Sequence, residues 1–350
     1  MQNDLKLWKM VGNSWAVELL KTQIAREREN KAALHHAYLF CGAKGVGRRT
    51  MALRFAQALN CTSPQEDGEP CFHCHTCLRL EKMQHLDLTL VQAEQEGGIL
   101  HIEQIRTLLS TLALAPYEAR YRMVLLLRFE EANINAANAL LKNLEEPPPH
   151  VLFLLTASSE ESLLPTIVSR CQTIHLKSLP AAVVSQQLEE RLGVQAEAAQ
   201  NLAHISGGRY GYASWLFQHP EAVTQRIEWL DDLWRLLSAS LPERFAYAEK
   251  MADFRYKNPD AVVSMKKSLR NMLQVWLSFW RDVLLTAASQ TTNNLSNIDR
   301  IKEIEKLSSE MNPTLALSTL HNTKNIFSQL ERNVNARMAL EVYLLDLPII

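Results

Sequence analysis

Four cysteines stand between residues 61 and 77 in the pattern Cys61-x9-Cys71-x2-Cys74-x2-Cys77. Two-residue gaps let neighbouring thiolates bite one ion, and four thiolates close a tetrahedral Zn²⁺ shell. His73 and His75 are interleaved and could replace a ligand, although four sulfurs complete the shell without them. A redox Cys-x-x-Cys would not require four, and a chance group of free thiols accounts poorly for this density. The intervening TSPQEDGEP is rich in turn formers and could not hold itself in place. The expected role of Zn²⁺ is therefore a structural staple, since a closed four-sulfur shell leaves no position for substrate.

A second cluster could handle phosphate. Three of only eleven glycines, Gly42, Gly45 and Gly47, fall within GAKGVGRRT. A glycine loop between a strand and a helix aims backbone N–H groups at a phosphate, and the helix N-terminus adds partial positive charge. The working form is G-x-x-x-x-G-K-[ST], in which lysine reaches the outer phosphates and the hydroxyl holds Mg²⁺. Gly42 and Gly47 have that spacing, but Arg48 replaces the lysine and Arg49 the hydroxyl residue, while Thr50 comes one position late. A planar guanidinium does not reproduce a compact ammonium, and Arg49 cannot ligate Mg²⁺. A tight turn descended from an ATPase loop, without a ligand of its own, is the favoured reading.

The other half of an ATPase site would be an acidic residue ending a later buried strand. The strand Val124-Leu-Leu-Leu-Arg128 ends instead on Leu127 and Arg128. Glu130 and Glu131 follow, and the spacing places them in the first turn of the next helix as favourable N-terminal charge. With both halves altered, no ATP hydrolysis by this chain is expected. Ser169-Arg170-Cys171, just before another strand, taken alone reads as a surface arginine at a loop–strand boundary.

The elements that position these groups follow from hydrophobic periodicity. His36–Cys41, Asp87–Val91, Met123–Leu127, Val151–Thr156 and Gln172–Leu176 read as strands. The runs at 123–127 and 151–156 are nearly continuous and apolar, as parallel strands buried on both faces require. Arg48–Leu59 and Asn135–Glu146 read as helices, the second stopped by Pro147, Pro148 and Pro149. Strand, helix, strand in that order predicts a βαβ crossover. After Pro180 the pattern becomes a small group of helices around Ser206-Gly-Gly, and beyond Pro220 no strand is expected. Val262, Leu269, Leu273, Trp276, Trp280 and Leu284 mark one face of a long helix, Thr291–Asn297 a polar loop, and Pro313 the start of a second long helical stretch to about Leu345. The expected organisation is an α/β domain over 1–177 with the cysteine module at 61–77, a small helical piece over 178–215, and a helical domain over 216–350.

Composition narrows the function classes. The 350 residues allow two or three domains. A formal net charge of −1 excludes a wholly basic nucleic-acid coat. No apolar run reaches the ~18–20 residues of a membrane span, and MQNDLKLWKM lacks the pattern of a secretion signal. Six cysteines, four of them grouped, suit a metal site in a reducing compartment better than a disulfide scaffold. A cytoplasmic location is expected.

In order along the chain, HHAYLFCGAKGVGRR, the four-cysteine insertion, IEQIR at 102–106, NALLKNLEEPP at 138–148, TASSEESLLPTIVSRCQ and SGGRYGYASWLF at 206–217 resemble one family. It is the delta-prime type of the bacterial DNA polymerase III clamp-loader family, which belongs to the AAA+ proteins. NVNARMALEVYLLDL resembles the last helix of that family's oligomerising collar. The resemblance implies an α/β AAA+ domain with a parallel sheet, flanking helices and a zinc-binding insertion, then a small helical lid and an all-α collar. It implies a structural, non-hydrolysing component of the DNA-directed DNA polymerase III holoenzyme, whose nucleotidyltransferase activity belongs to the complex. Partners would be the other clamp-loader subunits, through collar and AAA+ domains, with the sliding clamp and primer–template DNA reached through the assembly. Arg170 would act in trans as an arginine finger in a neighbouring subunit's ATP site. Tyr212 follows Gly211 where active relatives place a nucleotide-sensing arginine, with Arg209 close by.

Two other functions compete. An active ATPase motor subunit of the clamp loader would use Arg48 in place of lysine. An independent zinc-dependent nucleic-acid-binding protein is disfavoured by the balanced charge and by the acidic QEDGE within the cysteine segment.

Overall fold

The computed structural model of the chain describes residues 7–29, 34–65, 68–112, 115–252, 259–289, 295–331 and 334–349. The chain forms two compact units, one of residues up to 187 together with 209–212, the other of 188–208 with 213 onward.

The first unit runs α1 (Ser14–Arg28), β1 (Ala37–Cys41), α2 (Arg48–Asn60), α3 (His75–Glu81), β2 (Leu88–Val91) and α4 (Ile102–Thr111). It continues with β3 (Arg122–Leu126), α5 (Ile134–Glu145), β4 (Val151–Ala157), the short α6 (Pro165–Val168) and β5 (Gln172–His175). The five strands make one sheet in the order β2-β3-β4-β1-β5, every pair parallel. β1 therefore lies between β4 and β5, and its carboxyl end opens into the glycine loop. Alternate side chains of one strand feed two different cores. Tyr38, Phe40, Met123, Leu125, Leu152 and Leu154 pack under α1 and α2, while Leu39, Val124, Leu126, Phe153 and Leu155 pack under α4 and α5. Both faces are covered, and for that reason the strands read as unbroken apolar runs.

The approach to β3 is fixed by one buried carboxylate. Asp87 accepts the N–H groups of Tyr117, Glu118 and Ala119 at 2.6, 2.9 and 2.8 Å. Burial pushes its pKa up, but these three donors outweigh that and hold it below the ordinary aspartate value.

The remaining helices are α7 (Ala181–Leu192), α8 (Ala196–Ile205), α9 (Tyr210–Gln218), α10 (Pro220–Leu237), α11 (Leu241–Met251) and α12 (Pro259–Ser289). They are followed by α13 (Ile301–Glu310), α14 (Pro313–Glu331) and α15 (Ala336–Leu345). Leu269, Leu273, Trp276 and Trp280 of α12 are buried with Trp229, Leu340 and Tyr343, as their spacing predicts. The side chain of Val262 and residues 291–294 of the expected polar loop lie outside the described residues. The stretch from Pro313 to Leu345 is two helices rather than one. Asn335 caps the second, its side-chain oxygen accepting from Arg337 and Met338 N–H.

The second unit also buries an arginine. Arg244, 1% exposed, donates to the carbonyls of Leu236 and Leu237 at the end of α10. It donates as well to those of Leu344, Leu347 and Pro348 at and beyond the end of α15. These carbonyls at two helix ends need partners, and one planar guanidinium supplies them.

Candidate functional site

Gly42, Gly45 and Gly47 all adopt positive φ between β1 and α2. At Gly45 (φ +91°) a Cβ would come within 2.6 Å of Tyr212 Cβ and 2.8 Å of Tyr212 N. Only glycine permits that approach. Gly211 N–H donates to Gly45 O at 2.9 Å, and Arg209 Nη1 donates to Lys44 O at 3.3 Å while its guanidinium lies 4.7 Å over the Tyr212 ring. Residues 209–212, which sequence assigns to the lid segment, thus pack on the loop itself.

Two of the loop's cations, Lys44 and Arg48, face carboxylates. Lys44 pairs with Glu96. Arg48 Nη1 lies 3.8 Å from Glu130 Oε1, and Glu130 also accepts Ser158 N–H at 3.2 Å. Arg128 Nε donates to Glu131 Oε1 at 2.9 Å. Burial pulls the Arg48 pKa down, and Glu130 opposes that fall. Arg49 goes elsewhere, with Nη2 3.3 Å from Met83 sulfur. The placement of Glu130 and Glu131 in a helix needs correction: they end a 3₁₀ turn, Phe129–Glu131, and α5 begins later with Asn133 as its cap. The turn lets Glu130 face Arg48 instead of solvating a helix end. A polyphosphate entering the loop would meet the negative charge of Glu130 and Glu96, both near Arg48.

The four cysteines converge from three pieces of chain. Cys61 directly follows α2, Cys71 lies in the connecting loop, and Cys74 and Cys77 open α3. Their Sγ atoms all lie within 4.8 Å of one another, against about 3.8 Å between sulfurs around a tetrahedral Zn²⁺ with 2.3 Å bonds. Backbone N–H groups already point at the sulfurs: Cys71 N to Cys61 Sγ at 3.3 Å, Cys74 N to Cys71 Sγ at 3.3 Å and Cys77 N to Cys74 Sγ at 3.4 Å. Burial raises the thiol pKa of Cys61 and Cys77, while at Cys74 hydrogen bonds from Thr62 and from Cys77 N–H overcome burial and lower it to about 6. The donor set fits a thiophilic divalent ion that needs only modest closing of the sulfurs. His73 Nδ1 lies 2.8 Å from Cys71 O, outside the sulfur group.

The module is tied to the helix that starts at the glycine loop. Gln57 Nε2 donates to Cys77 O at 2.8 Å, and Arg54 of the same helix pairs with Glu81 of α3. Lys9 and Arg54 both lie over the Phe72 ring, at 4.3 and 5.1 Å from its centre.

Arg170 follows α6 and is half-buried. Its Nη2 donates to Glu145 Oε1 at 2.5 Å and its Nη1 to Thr166 O at 2.8 Å. Sequence reasoning missed Glu145, the last residue of α5, because nothing local joins it to Arg170. It likewise missed the contact of Arg209 with the loop and the role of Arg244.

A five-stranded parallel sheet with a glycine loop at the end of its inner strand and helices on both faces defines an AAA+-type α/β unit, here followed by a helical one. A profile of the family described as "DNA polymerase III, delta subunit" matches residues 13–180, and one described as "DNA polymerase III, delta subunit, C terminal" matches residues 255–348. The chain belongs to this DNA polymerase III clamp-loader family and is delta-prime-like.

Among curated relatives, DNA polymerase III subunit delta' of Bacillus subtilis is 34% identical over 54% of this chain and 55% of its own length. The delta' subunit of Pseudomonas aeruginosa is 36% identical over 49% of this chain and 53% of its own. DNA polymerase III subunit tau of Escherichia coli is 36% identical over 50% of this chain and 27% of its own. The chain thus spans about half the length of the delta' relatives it matches and about a quarter of tau. A solved DNA polymerase III gamma subunit-related protein of Thermotoga maritima superposes with TM-score 0.42 at 17% identity, over 89% of this chain and all of that one. A likeness that loose adds nothing to the fold derived above. Among the described residues no helix is long and apolar enough to cross a membrane.

Proposed function

We propose that this chain is a non-hydrolysing subunit of the DNA polymerase III clamp loader, helping to place the sliding clamp on primed DNA during replication. The observation that carries the reading is the pairing of Arg48 with Glu130. The cation best placed to receive a phosphate faces a carboxylate of its own chain at 3.8 Å, an ion pair without a hydrogen bond. Arg170 is paired as well, with Glu145, but it is only half-buried and the pair is open to solvent. Phosphoryl transfer spreads negative charge over the γ-phosphate oxygens, and a guanidinium brought to them from another chain stabilises the transition state. Arg170 would supply that group to a neighbouring ATPase subunit. In this reading residues 1–177 are the AAA+ domain, 178–215 the lid and 216–350 the collar that joins the other subunits. Zn²⁺ held by Cys61, Cys71, Cys74 and Cys77 would fix the excursion between α2 and β2; its chemistry is structural cross-linking. The clamp and primer–template DNA would be reached through the assembly.

The tau relatives, at 36% identity, favour a second reading as an ATP-hydrolysing motor subunit. Two experiments decide. The full chain is mixed with the purified remaining clamp-loader subunits and assembly is followed by size and mass. The full chain alone is titrated with Mg-ATP and assayed for turnover. The structural-subunit reading expects a stable assembly and no turnover by the chain alone. Turnover abolished by Arg48→Ala would establish the motor reading in its place.

A further inference from the structure

Glu145 stands where helix electrostatics disfavours an acid. It is the last residue of α5, close to the negative end of the helix dipole. Pro147, Pro148 and Pro149 follow it and end the helix, and the short α6 across from it begins with Pro165. Between them the Arg170 guanidinium is held by Glu145 Oε1 at 2.5 Å, Thr166 O at 2.8 Å and Ser169 Oγ at 3.4 Å. The pair is open to solvent: side-chain exposure is 31% for Arg170 and 50% for Glu145. A ligand approaching from outside the chain can therefore reach the guanidinium without unfolding anything.

We propose that Glu145 is a latch on Arg170: it holds the guanidinium while the neighbouring site lacks nucleotide, and the terminal phosphate of a nucleoside triphosphate on the neighbouring subunit displaces it. The proposal rests on the assignment of Arg170 as a finger acting in trans. Its physical basis is an exchange of anions. A terminal phosphate carries more charge than a carboxylate and more acceptor oxygens for the planar fork, so it wins Arg170 once positioned. Until then the carboxylate competes for the fork and repels the incoming phosphate. Glu145 touches no reacting atom. It acts through Arg170 and sets how readily the finger engages in the absence of DNA and clamp.

The test uses the reconstituted full assembly with Glu145→Gln, Glu145→Ala, Arg170→Ala and Glu145→Gln/Arg170→Ala forms of this chain, measuring kcat and KM for ATP with and without clamp and primed DNA. The latch predicts that both Glu145 variants raise basal turnover by about two- to five-fold, the worth of an exposed ion pair, through a lower KM. It also predicts little change in the fully stimulated rate, and no effect of Glu145→Gln once Arg170 is alanine. Glu145→Asp, with its shorter reach, should fall between wild type and Glu145→Gln. Unchanged or lowered basal turnover in both Glu145 variants overturns the latch while leaving the finger intact, provided Arg170→Ala lowers the stimulated rate. A rise that persists in the double variant also overturns it, since the effect would not pass through Arg170. If Arg170→Ala leaves the stimulated rate normal, the finger reading fails and the latch with it.

Discussion

Glu130 and Arg48 face each other at 3.8 Å across the mouth of the glycine loop, one from the turn after β3 and the other from the first position of α2. The pair sits where an ATPase would place phosphate and its metal. Removing the carboxylate should leave a half-buried, uncompensated guanidinium beside loop N–H groups. Glu130→Gln should therefore bind inorganic pyrophosphate or ATP measurably better than wild type, still without turnover, because no hydroxyl stands at position 49 to hold Mg²⁺. Calorimetric titration of both forms checks this; equal affinity would mean that Glu130 does not guard the loop.

Protein purified without added metal should contain about one Zn²⁺ per chain by elemental analysis. Cys74→Ser removes both a ligand and the side-chain cap of α3, which accepts Cys77 N–H. It should lose the metal and raise amide exchange in 61–81 while leaving the α12 core protected. Folded protein with almost no zinc would end the assignment.

Asp87 gives acid sensitivity with a definite sign. Its folded pKa lies below its unfolded one, so its contribution is complete above the ordinary value of 3.8 and is lost as pH falls through the folded value. Asp87→Asn presents at most one acceptor oxygen to three N–H donors. It should cost about 1–3 kcal/mol and remove that part of the acid dependence. Denaturant midpoints at neutral and acid pH, with exchange at Tyr117, Glu118 and Ala119, provide the readout.

Arg244→Met keeps much of the apolar stem but leaves the end carbonyls of α10 and the carbonyls at and after the end of α15 without their shared donor. A loss of about 3 kcal/mol or more is expected. Arg244→Lys should recover only part of it, since an ammonium cannot reach both groups of carbonyls in one plane. Thermal unfolding followed by tryptophan fluorescence, which the buried Trp276 and Trp280 report, measures both.

The sheet was legible because Val124–Leu127 and Val151–Thr156 are buried on both faces and so appear as unbroken apolar runs. The thiol cluster was legible because its four cysteines are close in sequence, where spacing alone limits geometry. The relations that define the candidate site are of another kind. Glu130 meets Arg48, Arg209 meets Lys44 and Glu145 meets Arg170 only after the sheet has brought distant segments together, and a glutamate in isolation looks like ordinary helix-end charge. The break at Asn335 was hidden by an apolar pattern that continues across it. Arg244 gave no signal because a buried arginine satisfied by carbonyls has no acidic partner to suggest it.

The most direct measurement is ATP turnover and clamp loading by the full assembly carrying Arg170→Ala in this chain. The variant should fold and assemble normally, because Arg170 is only half-buried and its loss removes a solvent-open pair worth at most about 1 kcal/mol. DNA- and clamp-stimulated turnover should fall several-fold. The loss should stay below the ~10³–10⁵ of a single-site arginine finger in an assembly that hydrolyses ATP at further sites whose fingers are untouched. Arg170→Lys should rescue poorly. Normal loading and turnover by the Arg170→Ala assembly would contradict the account and return Ser169-Arg170-Cys171 to a structural turn.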